Sequence, residues 1–230
     1  MNKNLFFAII SQLSKLKEEV IVFSSDNVHK NNLYTVSEKW KQQTEIIKDS
    51  ATSKRYVRFV PQTAGATTNS KDGIFIDVIS ANFKYEDFPY VKVSFRTNIN
   101  DITQTEDDNY LNFMVEQTEK WDFGSHIDKC YWPSVTNIRR DETCVEFTVK
   151  CYPYNIGTPE GARAKSVRFL PYWYESRKNN LYQYPFNTKQ DDYFDIEYIA
   201  FFKSKQAADA FNYSQYKTTG IYIPSYKKGN

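Results

Sequence analysis

The sequence predicts an all-β fold, a β-sandwich or jelly roll with a short amino-terminal helical extension. Aromatic residues make up 17% of the 230 residues, with 18 Tyr and 17 Phe, and these residue types favour pleated, half-buried surfaces. Short segments of alternating polar and apolar residues recur along the chain between turn-forming segments, and only two segments have a helical pattern. This succession favours a sandwich over an architecture of alternating strands and helices.

The first 48 residues are predicted to form a helix and an extension that can add strands to the sandwich. Leu5, Ile9, Leu13 and Leu16 recur at helical spacing, which predicts an amphipathic helix over 4–19 that docks or links rather than anchors at a membrane. The apolar run Leu5–Ile10 is too short for a signal peptide. Residues 49–212 then form the sandwich domain, and 213–230 an edge strand or a linker.

Strand patterns follow one another through the rest of the chain. The Asp-Gly pair at 72–73 is a strong turn signal between two of them. Residues 36–47 fit either a strand or a short helix. The predicted strands lie at 20–25, 56–61, 73–83, 90–99, 110–118, 143–152, 166–175 and 191–202.

The strand within Asp191–Phe211 is the most informative segment, because side chains alternate between the two faces of a strand. Strict alternation divides it into one face with Phe194, Ile196, Tyr198 and Ala200, and another with Asp195, Glu197, Ile199 and Phe201. The second face therefore begins acidic and becomes apolar. This pattern predicts a strand that is buried on both sides and whose first end reaches a polar rim, where a ligand or a metal could bind.

The same segment, DIEYIAFFKSK, resembles the last core strand of galactose-binding-like β-sandwich domains of bacterial surface proteins and glycan-processing enzymes, and of family 6 carbohydrate-binding modules. The resemblance extends over 50–211 and implies that Glu197 matches a ligand of structural calcium and Asp195 a sugar-contacting residue. It also implies an extracellular or cell-surface bacterial protein of which this chain is a piece. The implied partners are a polysaccharide or glycan and other domains of the same polypeptide.

Two aromatic clusters are candidate sugar-binding platforms, because sugar rings pack on flat aromatic side chains and are held by a few polar groups. The alternative is that these rings cover a sheet or the docked helix. Three consecutive aromatic residues cannot all point into one core, so at least one ring of the second cluster should face outward. The clusters contain Trp121, Tyr131 and Trp132, and Tyr172, Trp173 and Tyr174.

Charge and motifs exclude several function classes. The net charge is +2 with no long Lys/Arg block, which disfavours a nucleic-acid or anionic-membrane partner, and no apolar stretch is long enough for a membrane span. The sequence lacks phosphate-loop, Gly-x-Ser-x-Gly and His-Glu-x-x-His motifs. A non-catalytic glycan-binding module is the leading interpretation, a structural or adhesin-like spacer the first alternative, and a small glycan hydrolase or lyase the second.

Overall fold

The computed structural model describes residues 20–26, 33–35, 40–62, 74–98, 112–117, 128–129, 136–140, 145–150, 163–170 and 191–219. Within these ranges the chain forms eleven strands and two α-helices. The strands are β1 (Val20–Ser24), β2 (Trp40–Lys48), β3 (Arg55–Pro61), β4 (Ile74–Asp77), β5 (Tyr90–Thr97), β6 (Asn112–Gln117), β7 (Asp128–Lys129), β8 (Thr136–Arg140), β9 (Val145–Lys150), β10 (Ala164–Leu170) and β11 (Phe194–Phe202). The helices are α1 (Lys205–Ala210) and α2 (Tyr213–Thr219), and two short 3₁₀ turns lie at Ile79–Ala81 and Tyr85–Asp87.

The strands form two antiparallel sheets, which confirms the predicted all-β sandwich. Sheet A has the order β2-β3-β11-β5-β9-β8, with β1 also paired to β11, and sheet B has the order β4-β10-β6-β7. Both β1 and β2 lie within the first 48 residues, so this extension contributes two strands to sheet A. Of the segment 36–47, for which a strand and a short helix were the alternatives, the described part from Trp40 onward is a strand.

The core lies between the inner face of sheet A and sheet B and is rich in phenylalanine. Phe194 of β11 stacks on Phe95 of β5 with ring centroids 4.7 Å apart, and meets Phe169 of β10 across the sandwich at 5.4 Å. All three side chains are at most 1% exposed. Burying each such ring contributes about 2–3 kcal/mol before entropic costs, so contacts such as that between Phe194 and Phe169 hold the two sheets together.

Strand β11 is the central strand of sheet A, and all nine of its residues are buried. Strand β5 pairs along its full length on one edge. The other edge is shared, because β3 pairs with Phe194–Ile196 and β1 pairs with Tyr198–Phe202. Strands β1 and β3 therefore lie end to end, and they meet beside Glu197.

A β-bulge at Glu197 corrects the predicted division of faces. Ile196 pairs with Phe95 and Tyr198 pairs with Ser94, the residue next to Phe95, so Glu197 is an extra residue in β11. The alternation shifts by one residue beyond it. The inner face carries Phe194, Ile196, Ile199 and Phe201, whereas Tyr198, Ala200 and Phe202 belong to a second apolar cluster.

The second apolar cluster lies on the outer face of sheet A, under helices α1 and α2. Phe211 and Tyr213 pack against Tyr198, with ring centroids 5.6 Å and 4.4 Å from it. Both helices have side-chain caps, since the Ser204 hydroxyl accepts from the Ala207 N–H and the side-chain Oδ1 of Asn212 accepts from the Gln215 N–H. The expected edge strand or linker at 213–230 thus begins as helix α2.

The predicted amino-terminal helix over 4–19 lies outside the described residues. Within the described ranges, neither α1 nor α2 has the length and apolar character that a membrane-crossing helix requires.

Candidate functional site

The outer face of sheet A carries a row of charged and polar side chains that we call the outer polar face. On β5 the side chains alternate, so that Val91, Val93 and Phe95 enter the core and the residues between them extend to the opposite side. Neighbouring strands contribute further polar groups at matching positions. The outer polar face consists of Arg58, Lys92, Ser94, Arg96, Glu146, Asp195 and Glu197.

Its centre is an arginine cluster formed by Arg58, Arg96 and Asp195. Arg58 donates from Nε and Nη2 to the two carboxylate oxygens of Asp195, at 2.7 and 2.8 Å, and Arg96 donates from Nε to Oδ2 at 2.9 Å. Both arginines lie directly opposite Asp195 in the register of the strands β3, β11 and β5. Strand pairing therefore sets the geometry of a bidentate, charge-assisted contact.

Aromatic rings fix both guanidinium groups in place. The guanidinium carbon of Arg58 lies 4.0 Å from the ring centroid of Tyr193, and that of Arg96 lies 4.2 Å from the ring centroid of Tyr56, distances at which cation–π attraction acts. The hydrogen bonds to Asp195 raise the pKa of Arg58 above its ordinary value. The Arg58 and Arg96 side chains remain 24% and 20% exposed, whereas Asp195 is 0% exposed beneath them.

The loop between β2 and β3 supplies a second carboxylate to Arg96. Asp49 accepts from the backbone N–H groups of Ala51 and Thr52 at 2.9 and 3.0 Å, and its other oxygen accepts from Arg96 Nη1 at 3.0 Å. The Thr52 hydrogen bond is the main cause that holds the pKa of Asp49 below its ordinary value. Ser53 takes a left-handed conformation with φ 58°, which closes this tight loop.

Glu197 lies next to the arginine cluster and has its own partners. Its Oε2 accepts from the Ser94 hydroxyl at 2.8 Å and lies 3.5 Å from Lys54 Nζ, and its side chain is 5% exposed. Calcium requires six to eight oxygen ligands, and no group of three or more acidic, His or Cys residues capable of holding a metal occurs within the described ranges. Because an ammonium group already neutralises Glu197, the described surroundings do not fit the calcium site that the resemblance implies.

At the other end of the outer polar face, a buried lysine joins the helices to the sheet. Lys92 Nζ donates to the carbonyl oxygens of Ala208 and Phe211 at 3.1 and 3.3 Å and lies 3.3 Å from Glu146 Oε1. Tyr198 donates its hydroxyl to Glu146 Oε2 at 2.6 Å. These contacts fasten the carboxyl end of α1 to strands β5, β9 and β11, which gives Lys92 a structural role.

The predicted site residues fall into two groups. Asp195 and Glu197 both lie on the outer polar face, and both are buried beneath cationic partners. The aromatic residues of the two clusters lie outside the described residues: Trp121, Tyr131, Trp132, Tyr172, Trp173 and Tyr174.

The sequence reasoning missed the importance of Arg58, Arg96 and Tyr193. Each arginine is a polar residue within an alternating apolar strand, in YVRFVP and in YVKVSFRTN. This alternation predicts that the arginine side chain points away from the core. Their convergence on one carboxylate depends on which strands pair, and the two arginines are separated from Asp195 by 137 and 99 positions in the chain.

Neither a protein-family model nor a curated protein matches the sequence of this chain.

Proposed function

We propose that this chain is a non-catalytic glycan-binding module of a larger cell-surface or secreted protein, with its ligand surface at the arginine cluster. The observation that carries the proposal is the fixed position of the Arg58 guanidinium group. Asp195 accepts hydrogen bonds from this group, and the Tyr193 ring packs against one of its faces. The Arg58 side chain is still 24% exposed.

A glycan ligand suits this arrangement because sugars present many hydroxyl groups that accept hydrogen bonds. Binding usually costs the conformational entropy of each side chain that becomes ordered, about 0.5–1.5 kcal/mol for a flexible side chain. Arg58 has already lost this freedom in the unbound protein. The N–H groups of a fixed, planar guanidinium group can therefore contribute to binding without that cost.

Asp195 supports the ligand surface instead of contacting the ligand in this proposal. Its side chain is 0% exposed and both oxygens accept from arginines. The same burial argues against a catalytic use of Asp195 and Glu197 as the carboxylate pair of a glycoside hydrolase, because both must meet the glycosidic bond. The proposal therefore assigns no reaction to them.

A structural spacer is the second candidate, and one observation favours it. The ion pairs of the outer polar face join the β2–β3 loop, β3, β5 and β11 through Asp49, Arg96, Asp195 and Arg58. Such a network can serve to hold the sheet together without any ligand.

A glycan array with the purified chain separates the two candidates. We expect binding to at least one glycan, loss of binding in Arg58→Ala, and no change in Arg163→Ala, whose arginine is exposed and contacts the Asn82 carbonyl oxygen near β10. Circular dichroism checks that each variant is folded. The absence of binding to every glycan would overturn the proposal in favour of the spacer.

The aromatic clusters provide an independent test within the same experiment. If Trp132 or Trp173 forms the sugar platform instead, the glycan should quench tryptophan fluorescence, and Trp132→Ala or Trp173→Ala should abolish both the quenching and the binding. Loss of binding in these variants together with normal binding by Arg58→Ala would keep the glycan-binding function but remove the arginine cluster from it.

A further inference from the structure

We infer that the arginine cluster selects neutral saccharides over acidic ones, and that Arg58 recognises them through two adjacent hydroxyl groups. This inference rests on the proposed glycan-binding function and adds the chemical class of the ligand. It follows from how the two guanidinium groups are used and from the balance of charge around them.

The two arginines differ in what they can offer a ligand. Arg58 contacts Asp195 through Nε and Nη2, which leaves its terminal edge, with one N–H of Nη1 and the second N–H of Nη2, directed away from the carboxylate. Arg96 instead bonds two carboxylates, with Nε to Asp195 and Nη1 to Asp49. Each arginine uses two N–H groups, but carboxylates hold Arg96 from two sides and Arg58 from one. Arg58 is therefore assigned as the contact residue and Arg96 as a positioning residue.

The shape of the available Arg58 edge determines which groups it can bind. Two parallel N–H groups on a rigid plane match two acceptor oxygens side by side, either a carboxylate or a pair of neighbouring hydroxyls. The Arg58 guanidinium group covers one face of the Tyr193 ring at 4.0 Å, so a sugar cannot stack on that face. Tyr193 thus orients Arg58, and the hydrogen bonds from Arg58 determine specificity.

The charge balance decides between these two ligand types. The cations Lys54, Arg58 and Arg96 are matched by the anions Asp49, Asp195 and Glu197, each within 4 Å of a partner. Two further acids, Asp191 and Asp192, immediately precede Tyr193.

An anionic ligand would gain little at such a surface. It would lose hydration, which is costly for a charge that is not fully compensated, while meeting cations whose charge is already neutralised. Hydroxyl groups lose much less hydration free energy on leaving water, and they still accept hydrogen bonds from the Arg58 N–H groups. The cluster therefore favours a neutral saccharide with vicinal hydroxyls.

Isothermal titration calorimetry with defined oligosaccharides tests this inference. The probes are neutral fragments of xylan, glucan, mannan and galactan, and acidic fragments of polygalacturonate, each at low and at high sodium chloride. We expect measurable binding only for a neutral probe, with a Kd that changes less than about twofold with salt, since little charge is screened.

Two arginine variants test the role of Arg58 in the same assay. Arg58→Lys keeps the charge but removes the planar pair of donors, so it should raise the Kd at least about tenfold. Arg163→Lys is the matched control and should leave the Kd unchanged. Thermal melting establishes that both variants are folded.

Each result has a distinct meaning. Binding of the acidic probe alone, weakening as salt rises, would overturn the inference and leave the glycan-binding function intact, as would neutral binding that Arg58→Lys does not change. Failure of every probe and of a wider glycan array to bind would overturn the proposed function itself. Should Arg58→Lys not fold, the probe preference and salt response of the unmodified chain still decide the ligand class.

Discussion

Glu197 and Tyr198 are consecutive in the chain, and both side chains lie on the outer face of sheet A. Glu197 accepts from Ser94, and Tyr198 donates to Glu146. Ser94 and Glu146 are paired across β5 and β9 and so share one face. The bulge that allows this arrangement lets one strand place Asp195 and Glu197 beneath their cationic partners. The same strand places its aromatic and small residues beneath the helices.

Deleting Glu197 should remove the bulge and leave a folded sandwich. Ile196 and Tyr198 pair with the neighbouring residues Phe95 and Ser94, so without Glu197 the strand alternates regularly and Ile199 and Phe201 stay in the core. Circular dichroism and thermal melting of the deletion variant should show a cooperative transition near the Tm of Glu197→Ala.

The substitution Glu197→Ala is the control for this deletion because it keeps the length of β11. It loses the Ser94 hydrogen bond and should cost about 1–2 kcal/mol of unfolding free energy. A deletion variant without a cooperative transition would contradict the assignment of Glu197 as an extra residue of β11.

Replacing the buried lysine should destabilise the fold strongly. Lys92→Met removes the donor to the Ala208 and Phe211 carbonyl oxygens and the ion pair between Lys92 and Glu146. Because Glu146 is 21% exposed, we expect a loss of about 2–3 kcal/mol, below the range for a fully buried pair. Urea denaturation followed by circular dichroism measures this loss.

The matched control is Lys84→Met, which removes a lysine that is 45% exposed beside Glu86. An exposed pair of this kind contributes about 0–1 kcal/mol. Equal losses in Lys92→Met and Lys84→Met would contradict the role of Lys92 in fastening α1 to the sheet.

Asp49 should make the stability depend on pH in the acidic range. Its pKa in the folded protein lies below the ordinary value of 3.8, chiefly because of the Thr52 N–H bond. A carboxylate of this kind stabilises the fold above its unfolded pKa, and the contribution disappears as the pH falls through the folded pKa.

The expected result is that Asp49→Asn has a lower Tm than the unmodified chain near neutral pH and that the difference shrinks below pH 3.8. Differential scanning calorimetry across the acidic range measures it, with Asp209→Asn in the exposed pair with Lys205 as the control. A difference in Tm that stays constant with pH would contradict the assignment.

Chelation should leave the stability unchanged. Lys54 already lies 3.5 Å from the Glu197 carboxylate, so calcium is not needed to neutralise it, and a ligand that does not bind the folded state cannot stabilise it. We expect equal Tm values with EDTA and with added calcium, and a lower Tm of Glu197→Gln in both conditions.

Two results would contradict this expectation in different ways. A Tm that EDTA lowers in the unmodified chain but not in Glu197→Gln would establish a metal site at Glu197, as the resemblance implies. A decrease in both proteins would indicate a metal elsewhere in the chain.

Local patterns predicted the strands well, because alternation and turn residues act over a few positions. The segments VIVFSS, YVRFVP and YVKVSFRTN each became strands. The bulge at Glu197 escaped prediction because it depends on the pairing of β11 with β5, and periodicity alone does not contain that pairing. Helices α1 and α2 were missed because each is under two turns long, although Ser204 and Asn212 were available as cap signals.

The candidate site was predicted only in part, for a related reason. The acids at the beginning of β11 indicated a polar rim, whereas Asp195 lies on the outer polar face, buried beneath Arg58 and Arg96. Its partners Arg58 and Arg96 are on separate strands that meet Asp195 only after sheet A has formed. The order of the strands in sheet A therefore determines which arginine contacts which acid. Sequence patterns within single strands do not predict that order.

The central position of β11 has a consequence for synthesis of the protein. During translation, β1, β3 and β5 leave the ribosome before β11, the strand that pairs with all three. The backbone N–H and C=O groups on their β11-facing edges stay unpaired until residues 194–202 have been made. Exposed strand edges in such intermediates promote aggregation. Sheet A therefore cannot be completed until β11 has emerged, because β11 joins the β2–β3 pair, β1 and the β5–β9–β8 strands.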